Sequence, residues 1–150
     1  MTILPFHLDD SMLSFNQTFY PEGCVFAMLP SADAAERAAR ELGALAGIVE
    51  VQLASPQTLA AAFQARADQI RDRPPSAGRE EQFEVRFLEL AARGEHGLLL
   101  RVDHAAADTA RAKAVLDEHR CSVAYHYGRL VIEEWVAPDR RAEAAAAGTL

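Results

Sequence analysis

A grammar of strand, alanine-rich helix and strand occurs twice in this chain, and few folds can accommodate it. Cys24-Val25-Phe26-Ala27-Met28-Leu29 is continuously apolar and closed by Pro30, the pattern of a short strand covered on both faces. Ser31 then supplies a helix cap and Asp33 an acidic first turn. Ala35, Ala38, Ala39, Leu42 and Ala46 follow at helical spacing, until Gly43 and Gly47 weaken the helix. From residue 48 to 53 the chain alternates, with Val49, Val51 and Leu53 on one side and Glu50 and Gln52 on the other, as in a strand with one wet face. The second copy places a strand over residues 97–103, a helix over 105–119 and a strand over 122–127. Laying Ala32-Asp33 on Ala107-Asp108 brings Ala35 onto Ala110 and Ala39 onto Ala114.

The segment between the copies reads as a helical pair. Ser55-Pro56 is a good cap and first-turn pair, and Leu59, Ala62, Phe63, Ala67 and Ile70 share one helical face. The prolines and glycine of residues 71–78 break that helix, and Phe83, Phe87, Leu90 and Ala91 mark another that ends at Gly94. Tyr127-Gly128-Arg129 reads as a tight reversal into a last strand over residues 130–136. The expected fold is therefore α+β: a ferredoxin-like α/β plait made of two βαβ halves, enlarged by the inserted helical pair and a C-terminal β-hairpin. The apolar runs predict that the strands at 24–29 and 97–103 lie adjacent at the centre of the sheet. A doubly wound parallel sheet is the runner-up, but its nucleotide-binding turn needs glycines, and Leu29-Pro30-Ser31-Ala32-Asp33 has none. At 150 residues one domain is expected, with an N-terminal arm over 1–22, a core over 23–137 and a tail over 138–150.

The strand, small turn, alanine-rich helix and strand of residues 25–51 resemble the opening of bacterial general-stress proteins of the YflT-like kind, and residues 98–116 resemble their later segment. The resemblance implies a stress-response role and brings no catalytic residues across.

Charge narrows the partners. Twenty-two acidic against 15 basic residues leave a formal charge of -7, which repels nucleic-acid backbones and anionic membrane surfaces. No apolar stretch approaches the ~18 residues of a membrane helix. The first 20 residues lack the basic and apolar regions of a secretory signal, so a cytoplasmic location is expected. Cys24 and Cys121 lie far apart inside apolar runs and read as buried free thiols.

The candidate site residues are few. Asp103 and His104 fall where a central strand turns into a helix, so His104 is a candidate general acid or base with Asp103 or Glu134 as helper; Asp103 is equally suited to capping. Five histidines are present, but none occurs at H-x-H or H-x-x-x-H spacing, so metal binding would need the fold to assemble them. His126 should face away from Tyr125 and Tyr127, as a polar cross-strand residue. No cofactor and no metal are expected. Phe15, Phe19 and Tyr20 in the arm, with Trp135 on the last strand, read as interface residues, because both faces of that strand seek burial and one small domain covers one sheet face more readily than two. The expected protein is a non-enzymatic binding or stress-response homodimer whose partner is itself and a small molecule or protein; the alternative is a small enzyme using His104.

Overall fold

The computed structural model describes residues 2–14, 18–71 and 80–136. They form a mixed six-stranded sheet with four α-helices. In chain order the elements are β1 (Ile3–Pro5), a 3-10 turn (Asp10–Met12), β2 (Cys24–Leu29), α1 (Ala32–Gly43), β3 (Ile48–Ala54), α2 (Pro56–Arg71), α3 (Glu80–Ala92), β4 (His96–Val102), α4 (Thr109–Glu118), β5 (Val123–Tyr127) and β6 (Ile132–Glu134). The sheet order is β1-β3-β4-β2-β5-β6. Every neighbouring pair is antiparallel except β1 with β3. The two most apolar strands, β4 and β2, occupy the two central positions, as their sequences predict, and every residue of β2 is buried.

Helices cover both faces. On one, Val25, Ala27, Leu29, Leu98 and Leu100 pack against Ala35, Ala38, Ala39 and Leu42 of α1 and Ala112, Val115 and Leu116 of α4. The alanines keep α1 close to the strands, and Ser31 caps it by accepting a hydrogen bond from the Ala34 N–H at 3.1 Å. On the other face, Phe26, Met28, Leu99 and Tyr125 meet Leu59 and Phe63 of α2 and Phe83, Phe87 and Leu90 of α3. A side chain at Gly97 would come within 2.9 Å of the Phe26 ring, so the bare backbone there makes room for this aromatic layer.

The N-terminal arm belongs to the same layer. Phe19 is fully buried, with ring centroids of Phe63 at 5.0 Å, Phe26 at 5.4 Å, Tyr127 at 5.9 Å and Phe6 at 6.3 Å, mostly edge to face. The Phe19 N–H donates to the buried Glu84 carboxylate at 3.1 Å, and the Tyr20 hydroxyl donates to the Gly128 carbonyl at 2.5 Å. The second sheet face is thus covered within one chain by α2, α3 and the arm, so the cover expected from either the arm or a neighbouring subunit is supplied by the arm.

Two other expectations change. Helix α4 begins at Thr109 rather than 105, because Asp108 caps it through the Arg111 N–H while Asp103 folds the preceding residues into a turn. The last strand spans only Ile132–Glu134, and Leu130 and Val131 lie in the exposed reversal, 90% and 70% accessible. No helix among the described residues is long and apolar enough to cross a membrane.

Candidate functional site

The carboxyl end of β4 leads into a turn that Asp103 organises. Its backbone N–H donates to the Gly47 carbonyl at 2.7 Å, and its carboxylate accepts from the Ala105 N–H at 3.1 Å. The next residue, His104, is exposed. Two places across the sheet, β5 carries His126, whose alternate neighbours Tyr125 and Tyr127 enter the aromatic layer on the other face. The turn and the strand bring the two imidazoles together, Nε2 to Nε2 at 2.8 Å. At that distance one ring donates its N–H and the other accepts, so the contact requires that at least one ring offer a lone pair.

Three further side chains complete the surroundings. Across the strand pair His126 faces Glu133, two residues from Trp135 and on the same sheet face. The Trp135 ring lies nearly parallel to His126, centroids 5.9 Å apart, and its Nε1–H donates to Glu133 Oε1 at 3.0 Å. From α4, the Lys113 ammonium sits 5.5 Å from the centre of the Trp135 ring. Burial holds the His126 imidazole below its ordinary pKa; His104 and Lys113 push it the same way, and the Glu133 carboxylate opposes them. His126 is therefore kept neutral, the form that accepts hydrogen bonds and binds electrophiles.

The helpers expected for His104 lie elsewhere. The Asp103 carboxylate is used by its own turn, and Glu134 pairs with Tyr125 on the opposite sheet face, because neighbouring residues of a strand alternate. The partner of His104 is His126, and their separation of 22 positions hides the pairing from any local motif. The expected interface residues are also relocated. Phe19 is fully buried and Trp135 is 6% exposed within a single copy, so both are core residues; Tyr20 is half-buried against Tyr127, and Phe15 lies outside the described residues. His119 meets Glu41, tying α4 to α1. Among the described residues no three histidine, cysteine or acidic side chains gather as a metal cluster.

A separate cavity of about 410 Å³ opens at the other end of β4. Ile3, Leu4, Pro5 and Leu53 give it an apolar wall, and Glu36, Ser55, Thr58 and His96 give it polar groups. The Ser55 hydroxyl accepts the Thr58 N–H at 3.1 Å, which fixes the start of α2 at the cavity edge. Neither His104 nor His126 lines it.

No family model, curated protein or solved structure matches the chain.

Proposed function

We propose that this chain is a non-enzymatic small-molecule-binding protein built on an α/β plait, with the cavity between β1, α1 and α2 as its binding site. The order β3-β4-β2-β5, with each neighbouring pair antiparallel and a helix connection in each half, supports the plait reading. The observation that carries the binding reading is the cavity itself. It has room for a compact molecule and joins an apolar wall to a few convergent polar groups, the usual composition of a ligand site. The occupant it suits has an apolar body and one polar head. A stress-response role, by resemblance to the YflT-like proteins, is compatible with a binding protein of this kind.

Chemical-shift mapping with hexanoate and with leucine as probes tests the proposal. Saturable shifts at Leu4, Ala32, Ser55, Thr58 and His96 are expected, and Ala32→Trp, which fills the mouth from an exposed position, should abolish them. Shifts that fail to saturate, or that persist in Ala32→Trp, would overturn it. The enzyme reading of His104 stands second. His126 gives it a titratable partner at 2.8 Å, but the cavity that would hold a substrate lies at the far end of β4.

A further inference from the structure

The two imidazoles meet at an angle rather than end to end. Their ring centroids are 4.4 Å apart and their planes cross at 66°, whereas Nε2 lies 2.8 Å from Nε2. A head-on meeting of the nitrogens would hold the centroids further apart, so the rings are bent toward each other. Neither the spacing nor the tilt is that of two rings meeting end to end, and the two Nε2 atoms stand side by side at one point of the surface. Two imidazole nitrogens about 2.0 Å from one metal ion are about 3.3 Å apart in a tetrahedral site and about 2.8 Å apart at neighbouring corners of a square. The observed spacing is that of the square.

We propose that His104 and His126 form an open two-nitrogen site for a tetragonal divalent copper ion, the two Nε2 atoms occupying adjacent equatorial positions and water the rest. Copper(II) suits the site on two grounds: imidazole is a good ligand for it, and it tops the affinity order of the first-row divalent ions. The proton balance is simple. Both neutral rings carry one N–H; the ring that donates through Nε2 moves that proton to Nδ1, and the freed lone pair joins the other on the metal. No net proton leaves a neutral pair. Glu133, opposite His126 and joined to Trp135, supplies a compensating negative charge on the same face, while Lys113 opposes it from α4. With two protein ligands the affinity falls well short of a four-ligand structural site. His119 is engaged with Glu41, and His96 lines the cavity at the other end of β4.

Trp135, the sole tryptophan, stacks on the ligand ring and serves as the reporter. Adding copper(II) chloride to the full chain at pH 7.5 should quench its fluorescence saturably at one equivalent, and electron paramagnetic resonance should show a tetragonal ion split by two nitrogens. His104→Ala, at an exposed position, should weaken binding at least tenfold and remove one nitrogen from the spectrum. His7→Ala and His96→Ala should change neither. His104→Gln, which keeps a polar side chain there, should behave like His104→Ala while its melting temperature stays that of the parent. Equal quenching in the parent and both His104 variants would overturn the proposal, as would zinc(II) binding more tightly than copper(II). The proposal is independent of the cavity reading, whose probes report on the opposite end of β4.

Discussion

His126 ties the acid stability of the protein to one contact. Its pKa in the folded chain is lowered from 6.5, chiefly by burial and then by His104, with Lys113 acting in the same direction and Glu133 against it. As pH falls, the unfolded chain takes up this proton first. The stability that neutral His126 contributes is therefore present above about pH 6.5 and lost as pH falls from there through the folded value. Urea midpoints at pH 7.5, 6.5 and 5.5 should drop across this window, and His126→Gln should flatten that part of the profile; an unchanged slope would assign it to other groups. Gly47 is the other residue on which much depends. It holds φ +83°, and a side chain there would stand 2.4 Å from the Ala107 backbone, so Gly47→Ala should cost about 2 kcal/mol or more in denaturant titration. The glycine was visible in the sequence as a helix terminator. Its close approach to the turn after β4 was not, because that turn is brought to it by sheet pairing rather than by chain neighbours.

At the level of elements, each strand-helix-strand unit was legible because its signals are local: apolar runs in β2 and β4, Ser31 as a cap, alanines at helical spacing in α1. The elements that sequence reasoning missed or shifted depend on partners. Strand β1 has three residues and exists through its parallel pairing with β3, which no pattern within Ile3–Pro5 announces. The expected helix start at 105 yielded to Asp108, whose capping bond outcompetes a helical continuation of the Asp103 turn. His104 was legible as a strand-end candidate, whereas its partner needed the sheet order. The arm was legible as aromatic and costly to expose, but not as to where it packs. Since Phe19 is fully buried among five aromatic rings, Phe19→Ala should lower stability by about 3–5 kcal/mol, and loss of near-ultraviolet dichroism from the buried tyrosines should accompany it. A change below about 1 kcal/mol would mean that the arm is dispensable to the core.

For the whole molecule, the decisive fact is that both faces of the sheet are covered by one copy. Sequence reasoning assigned Trp135 to an interface because the last strand carries apolar residues on both sides. In the structure the tension is relieved unequally: Trp135 enters the core beside Val136, while Leu130 and Val131 remain in solvent. Trp135→Glu should therefore lower the melting temperature by an amount independent of protein concentration, since it buries a charge in the chain's own core. A change of mass in light scattering with an unchanged melting temperature would return the residue to an interface.

The arm's packing has a consequence for the order in which the protein is made. Phe19 lies against Tyr127, and the Tyr20 hydroxyl reaches the Gly128 carbonyl 108 residues away. Phe19 and Tyr20 thus wait for β5 and the turn after it, more than 100 residues later in the chain, before their site is complete. Until then they are exposed apolar surface on a nascent chain, the kind of segment that holding chaperones bind. Non-local closure of this sort also slows folding. The arm's burial in the finished fold therefore depends on a segment made more than 100 residues after it.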